Sequence, residues 1–372
     1  MKMVLVTGAQ GFVGRNLMQA LRLRRDLRVT EFDLGTPKQQ LWESLGQVDV
    51  VLHLAGVNRP PKPEDYESGN AGFTEEICDW LTAAGRSPKI VFASSTQAEL
   101  DNPYGRSKLH AEERLRKYAE ATGAKVTIFR WTNLFGKWCH PNYNSVTATF
   151  CHNIARGLPI QISDPNREIE LAYIDDVVAA LLDELDCSSD VRVALRRVEP
   201  SYRTTLGDLA AKLLAFHDSR KTLLLLDVSD GFTRRLQATY FSYLPENDFA
   251  YQLDIKADDR GGLAEFLKSP QFGQIFVSRT KPGITRGNHY HQTKFEKFFV
   301  VEGEGIIRFR HVESSEVLSY PVSGKEFCVV DIPPGYTHSI ENVGSGEMVV
   351  LFWSSEVFDP SSADTVFAKV LE

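Results

Sequence analysis

Val4-Leu5-Val6-Thr7-Gly8-Ala9-Gln10-Gly11-Phe12-Val13-Gly14 is the stretch that decides the fold. An apolar run from Met3 to Val6 breaks at Thr7-Gly8, Gly11 and Gly14 follow at three-residue steps, and Val13, Leu17 and Leu21 recur at helical spacing. This order predicts strand, glycine-rich turn and helix. Glycines there permit a tight turn, close backbone approach to a pyrophosphate and close packing of helix on strand, while the first helical amides face the anion. Gly8, Gly11, Phe12 and Gly14 are therefore candidate dinucleotide contacts.

The alternation continues outward from that turn. Arg28 to Phe32, Val48 to Ala55, Lys89 to Ser94 and Val126 to Arg130 read as strands with helical patterns between them. Repeated strand-helix units predict a parallel sheet with helices on both faces and a ligand site at the strands' C-terminal ends. Asp33 stands where an acidic residue would hold an unphosphorylated adenosine ribose, and Arg15 where a cation could serve a 2'-phosphate, so the spacing leaves NAD and NADP both open. Arg59-Pro60-Pro61-Lys62-Pro63 must be an irregular loop, because proline fixes φ and removes donors.

Tyr104-Gly105-Arg106-Ser107-Lys108 carries the first chemical signal. On a helix the four-residue spacing sets the Lys108 ammonium one turn from the Tyr104 ring, where a cation favours phenolate and lets the pair move a proton near neutral pH. Ser94 and Ser95, at the end of a predicted strand, offer hydroxyls for a substrate oxygen. Ser95 is the preferred of the two.

Beyond Asn144 the texture mixes short strands and helices, with Ile169 to Ile174 strand-like and Asp175 to Leu185, Leu206 to Phe216 and Phe232 to Tyr243 helical. After Leu244-Pro245 strands replace helices, which predicts two domains, 1–245 and 246–372. The 372 residues, 42% hydrophobic and 24% charged, are ample for two cores. A net charge of -7 provides no general basic field for nucleic acid or an anionic membrane. Five scattered cysteines without a Cys-x-x-Cys pair, no signal-length apolar run at the start and no spanning-length run elsewhere predict a cytoplasmic protein without membrane insertion.

The tail carries the second signal. Gly283, His289, His291, Glu296 and Gly303 form Gly-x5-His-x-His-x4-Glu-x6-Gly, and His338 follows Pro333-x-Gly335. Alternate residues of a strand face one way, so His289 and His291 can reach one ion, with Glu296 and a third imidazole from His338. Three neutral imidazoles and a carboxylate suit zinc or another divalent iron-group ion.

These motifs resemble known families. Residues 7–14, Asp49-Val50-Val51-Leu52-His53-Leu54-Ala55-Gly56, Phe92-Ala93-Ser94-Ser95, Tyr104-x-x-x-Lys108 and Arg130-Trp131-Thr132-Asn133-Leu134-Phe135-Gly136 resemble the extended short-chain dehydrogenase/reductases. The resemblance implies an α/β Rossmann-like doubly wound parallel sheet, with Ala55 beside the cofactor, Asp49 near its adenine, Tyr104 as acid/base, and Lys108 holding the ribose and tuning Tyr104. Gln274 to Trp353 resembles the cupin superfamily, an all-β barrel, although Phe327 replaces the glycine expected six residues before Pro333. Asp259-Arg260-Gly261-x-x-x-Glu265 and Arg286-Gly287-Asn288-His289-Tyr290 resemble the nucleotide-sugar 4-keto 3,5-epimerases. In those enzymes the histidine of the second segment is the base; here His291 makes His289 more useful as a ligand, and Tyr290, Lys294, His311 and Tyr336 stand as candidates for moving the proton.

The whole chain, with both halves in this order, resembles the bifunctional CapF-type enzymes of capsule and O-antigen precursor synthesis. Asn133-Leu134-Phe135-Gly136-Lys137-Trp138-Cys139, Pro141-Asn142-Tyr143-Asn144-Ser145-Val146 and Ile307-Arg308-Phe309-Arg310-His311-Val312 carry the match. It implies a homodimer acting on a UDP-linked 2-acetamido-2,6-dideoxy-4-ketohexose. A Zn2+ cupin would epimerise C3, and the N-terminal domain would reduce the C4 ketone with NADPH rather than NAD, giving UDP-2-acetamido-2,6-dideoxy-L-talose for UDP-N-acetyl-L-fucosamine synthesis. A ketone acidifies its neighbouring carbon only until it is reduced, so epimerisation must come first. The alternatives are a reductase whose cupin only binds sugar or mediates assembly, and a cupin dioxygenase.

Overall fold

The structure, a computed structural model, describes residues 1–371. The chain divides into two compact units, Met1–Leu214 with Arg234–Pro245, and Ala215–Thr233 with Glu246–Glu372.

The first unit opens as its sequence predicts: β1 (Lys2–Thr7), α1 (Phe12–Leu21), β2 (Leu27–Phe32), α2 (Lys38–Leu45) and β3 (Val50–His53). A single turn α3 (Glu64–Tyr66) passes through a π-helical segment, Glu67–Gly72, into α4 (Phe73–Ala83), then β4 (Lys89–Ser95), α5 (Pro103–Thr122) and β5 (Val126–Trp131). Short strands β6 (Asn133–Phe135) and β7 (Glu168–Tyr173) flank α6 (Val146–Ile154), α7 (Ile174–Asp186), β8 (Val193–Arg196) and β9 (Ser201–Thr205) follow, and α8 (Leu206–Thr222) and α9 (Gly231–Phe241) each divide between the two units. Six strands form a Rossmann-like parallel sheet in the order β2-β1-β3-β4-β5-β8.

Strand alternation builds a core on each face of that sheet. Val4, Val6, Val91, Ala93 and Phe129 pack against Leu17, Leu21, Val177 and Leu181 of α1 and α7. Leu5, Ile90, Phe92 and Ile128 pack against Leu41, Ile77, Leu81, Ala111 and Leu115 of α2, α4 and α5. The order reverses between β1 and β3, so the ligand crevice of such a sheet opens beyond their C-terminal ends. The smaller sheet β6-β7-β9 belongs to the region after Asn133.

The second unit's sheets are antiparallel. β10 (Ile255–Asp258), β11 (Gly261–Ser269), β12 (Gly273–Thr280), β13 (Thr285–Tyr290), β14 (Glu296–Glu302), β15 (Glu304–His311), β16 (Val317–Ser323), β17 (Val329–Ile332), β18 (Tyr336–Asn342), β19 (Met348–Ser354) and β20 (Val366–Phe367) form two sheets, β10-β11-β12-β19-β14-β17 and β16-β15-β18-β13-β20. Phe298, Val300, Val330 and Val350 from one and Ile307, Phe309 and Ile340 from the other share a single core. Among the described residues the ladders form these two open sheets and do not run around a closed barrel. Phe327 adopts φ +46°, the left-handed conformation in which a glycine is at ease.

Candidate functional site

The first site gathers at the C-terminal edge of the parallel sheet. Gly8 has φ +73°, and a Cβ there would lie 2.7 Å from the Ala55 amide nitrogen. A Cβ on Gly14 would lie 2.1 Å from the Gly8 carbonyl oxygen. Neither position has room for a side chain, Gly8 because it lies against Ala55 and Gly14 because it lies against the Gly8 carbonyl. Gly11 is the N-cap of α1 and offers no side chain to cap it, so the amides opening with Phe12 are left for an anion. This cradle fits a dinucleotide pyrophosphate. Gly14→Ala is expected to lower the thermal midpoint by several degrees and to abolish measurable dinucleotide binding in calorimetry; retained binding would contradict the cradle.

Asp33 follows β2 at the same edge, and its carboxylate accepts the Gln10 amide at 2.6 Å and the Leu34 amide at 2.7 Å. Asp49 does not join it. It precedes β3 at the opposite, N-terminal edge, where its carboxylate accepts the Met3 amide at 2.7 Å. Since Val4 pairs with Val50 and Thr7 with His53, the length of the strand, about 10 Å or more at 3.3 Å per residue, separates Asp49 from Gly8. The expectation that it approaches the adenine is corrected: it ties the sheet's far end.

Tyr104 and Lys108 share one face of α5, whose first turn is held by Asn102 Oδ1 accepting the Gly105 amide at 2.8 Å. Lys108 Nζ lies 5.9 Å from the Tyr104 ring centroid and donates to the Ala93 carbonyl at 3.0 Å. Burial pushes the lysine down to about 8, partly offset by Glu112. Burial pushes the Tyr104 phenol up to about 12, against the opposing effect of its hydrogen bond with Ser95. The sequence predicted a phenol made more acidic by lysine. In the structure desolvation pushes the phenol the other way, which favours its protonated form.

The two serines separate by strand parity. Ser95 Oγ accepts the Gln97 amide at 3.1 Å and lies near enough to the Tyr104 phenol to influence it, while Ser94 is turned to the other face and donates to Glu112 Oε1 at 2.6 Å. Arg130 grips the same carboxylate at 2.9 and 2.7 Å. Ser94 is thus committed to a buried ion-pair network and does not join the site.

Sequence reasoning missed Asn70, carried in the π-helical segment, a form that recurs at functional sites. Its Oδ1 accepts the Val57 amide at 2.9 Å, and its Nδ2 donates to the Val57 carbonyl at 3.1 Å and to Ser107 Oγ at 3.0 Å. A Cβ on Gly56 would meet both Asn70 Oδ1, at 2.7 Å, and Lys108 Nζ, at 2.9 Å. His53 connects this turn to the glycine loop. Thr7 Oγ1 accepts the Ala55 amide at 3.3 Å and donates to His53 Nδ1 at 2.7 Å, the direction left once Thr74 spends its own proton on Asn70. His53 Nε2 then donates to Thr74 Oγ1 at 3.0 Å, which donates to the Asn70 carbonyl at 2.8 Å. Burial, then Lys108, lowers His53 to about 3, so the imidazole is neutral as this chain requires.

The second site lies between the facing sheets of the second unit. His289, His291, Glu296 and His338 come together with one donor atom each, all within 4.8 Å of one another. His289 pairs with His338 across the β13–β18 ladder, a bulge at Asn288 intervening, and their ring centroids lie 4.6 Å apart. Glu296 Oε2 is 3.4 Å from His291 Nε2 and 3.6 Å from His338 Nε2. Both nitrogens are buried without a hydrogen-bond partner. Burial, with His338 and His291 beside it, lowers His289 to about 4, leaving a neutral imidazole. Burial would raise Glu296, but His291 and His338 hold it far below the usual carboxylate range. Orphaned imidazole nitrogens converging on an ionised carboxylate fit a divalent metal. Of the candidates for moving a proton, Lys294 is against the cluster, its Nζ 3.6 Å from Glu296 Oε1; the His311 and Tyr336 rings pack on each other with centroids 5.0 Å apart.

Residues 4–188 match the NAD dependent epimerase/dehydratase family and residues 256–366 the Polysaccharide biosynthesis C-terminal domain. Fold and first site thus define a nicotinamide-dependent enzyme of the epimerase/dehydratase class with an all-β C-terminal unit. The chain is 45% identical over 369 residues to the UDP-2-acetamido-2,6-beta-L-arabino-hexul-4-ose reductase of Pseudomonas aeruginosa, covering 99% of both chains. It superposes on the capsular polysaccharide assembling protein CapF of Staphylococcus aureus with a TM-score of 0.92 and 46% identity, over 99% of this chain and 100% of that one. The chain belongs to the CapF-type family of nucleotide-sugar reductase/epimerases. The UDP-glucuronic acid 4-epimerase of Bacillus cereus, at 16% identity and a TM-score of 0.56 over 65% of this chain and 98% of its own, shares the fold alone. Among the described residues no helix is long and apolar enough to cross a membrane.

Proposed function

We propose that the chain is a bifunctional enzyme that epimerises C3 of a UDP-2-acetamido-2,6-dideoxy-4-ketohexose in residues 246–372, as a cupin, and reduces its C4 ketone in residues 1–245. The product is UDP-2-acetamido-2,6-dideoxy-L-talose. The observation that carries this is the convergence of three imidazoles and Glu296 within 4.8 Å, in a chain whose other half sets a protonated Tyr104 against Ser95.

In the reductase half, Gly8, Gly11, Phe12, Gly14 and Ala55 seat the dinucleotide, and the bound nicotinamide supplies the hydride. Ser95 orients the C4 oxygen, Tyr104 donates its proton to that oxygen, and Lys108 holds the ribose and stabilises the phenolate left behind. In the epimerase half His289, His291, Glu296 and His338 hold Zn2+, which when bound supplies Lewis acidity for the charge on an enolised ketone. Lys294, buried beside the cluster, is placed to bond the same oxygen. The substrate's ketone is needed for the first step and consumed in the second, which sets their order.

The assignment extends to NADPH and to a cytoplasmic homodimer. The five cysteines are free, which fits a reducing compartment. Val301, Phe327 and Val329 are exposed apolar residues at the outer side of the β14–β17 sheet, which fits a self-associating face. Asp33 opposes a 2'-phosphate if its carboxylate approaches the ribose. Asp33→Ser is therefore expected to raise the NADPH-to-NADH ratio of kcat/KM about fivefold or more, the removal of at least about 1 kcal/mol of repulsion. An unchanged ratio would restrict Asp33 to tying Gln10.

The deciding experiment incubates the 4-ketosugar in deuterated water with NADPH and follows the product by NMR. Deuterium at C3 of an L-talo product, with stoichiometric NADPH oxidation, is expected. Reduction without C3 label would leave a reductase with a binding module, and oxygen uptake in place of label would indicate dioxygenase chemistry.

A further inference from the structure

The chain's last residues bear on all three imidazoles. Asp364 accepts three successive backbone amides of the loop between His291 and Glu296, from Gln292 at 2.8 Å and from Thr293 and Lys294 at 2.9 Å each. The Thr293 hydroxyl adds a bond at 3.1 Å. The backbone carbonyl of Asp364 accepts from His291 Nδ1, which directs the lone pair of Nε2 into the cluster. Beginning two residues on, β20 joins the edge of β13, with Phe367 paired to His289 and Val366 to Tyr290.

The segment continues onto the bulge and the next strand. Ala368 donates its amide to the Asn288 carbonyl at 2.9 Å, and Val370 donates to Asn288 Oδ1 at 3.1 Å. Asn288 has φ +61°, and a side chain in that conformation needs such ties to persist. Thr337, the neighbour of His338, donates its hydroxyl to the Ala368 carbonyl. Arg310 Nη2 donates to the Lys369 carbonyl at 2.6 Å.

We propose that residues 364–370 form a strap that sets the metal affinity of the His289–His291–Glu296–His338 cluster, with Asp364 as its anchoring positioning residue. This rests on the metal reading given above. Asp364 donates nothing to the metal. It fixes the 292–294 loop, and with it the distance and orientation between His291 and Glu296, so that the ligands need not be ordered when the ion arrives. Orienting partners of metal ligands contribute about 10- to 100-fold in affinity when removed.

The test uses full-length protein carrying Asp364→Ala or Asp364→Asn, titrated with Zn2+ against a chromogenic chelator, with Co2+ substituted to read the ligand field. Asp364→Ala is expected to bind Zn2+ about 10- to 100-fold more weakly and to shift the Co2+ absorption bands, a signature that lower fold stability alone would not produce. Asp364→Asn, which keeps one acceptor oxygen, is expected to lose less, and it decides the matter if the alanine variant does not fold. Zn2+ affinities within about threefold of the unaltered chain, with unchanged Co2+ bands, would overturn the strap. An unaltered chain that takes up no Zn2+ would instead overturn the metal reading itself.

Discussion

Tyr104→Phe lowers kcat for ketone reduction by about 100- to 10,000-fold, the contribution of a positioned general acid, while dinucleotide affinity is retained. That loss corresponds to about 3 to 5.5 kcal/mol of transition-state stabilisation. Phenylalanine preserves the ring contact with Tyr66, whose centroid is 5.7 Å away, and removes only the proton donor. The direction of the reaction gives the shifted phenol its purpose, because a group pushed up to about 12 is fully protonated when the ketone arrives. Lys108 sets the alkaline limit. With its ammonium pushed down to about 8, kcat/KM for reduction should be level below that pH and fall as pH rises through it, since kcat/KM reports groups of the free enzyme. Stopped-flow loss of nicotinamide absorbance measures both effects, and near-normal turnover by the phenylalanine variant would remove Tyr104 from its role.

His289→Ala and His338→Ala are each expected to end solvent-deuterium exchange at C3 while hydride transfer to an already epimerised ketone survives. Both rings are ligands in the proposal, so each loss should exceed the roughly 100-fold in metal affinity that an orienting partner can contribute. The neutral state of His289, lowered to about 4 by burial and its neighbouring imidazoles, keeps a lone pair available throughout the neutral range. Metal analysis beside an NMR exchange assay reads both consequences. Exchange that persists in both variants would defeat the epimerase assignment, and reductase activity lost alongside exchange would contradict the division of labour between the two parts of the chain.

The legible parts of these sites were those written in short-range periods. Tyr104 and Lys108 are one helical turn apart, and four residues on α5 could place them in no other relation. His289 and His291 are two residues apart at the end of β13, the alternate spacing of a pleat, and Glu296 opens β14 of the facing sheet five residues on. The glycine steps at 8, 11 and 14 announced a loop whose backbone leaves no space for a Cβ at Gly8 or Gly14. Asp49 misled because a motif match says nothing of which end of a strand meets the ligand, and pairing with Met3 settled that. Ser94 and Ser95 differ by parity alone, and only the presence of Glu112 and Arg130 on one face showed which hydroxyl was already committed.

The sequence by itself carried the parallel sheet, the one-turn spacing of Tyr104 and Lys108 and the nearness of His289, His291 and Glu296, because each depends on the alternation of elements or on spacing along a short stretch. Tertiary structure set the surroundings of Tyr104, because desolvation depends on what packs around the ring and pushes the phenol up, and it turned the Lys108 ammonium to the Ala93 carbonyl. It also decided the joining of His338 to His289, the place of Asn70 and the ties of Asp364. Asp364 is more than seventy residues from the loop it holds in sequence, and no local pattern encodes a contact closed across two sheets.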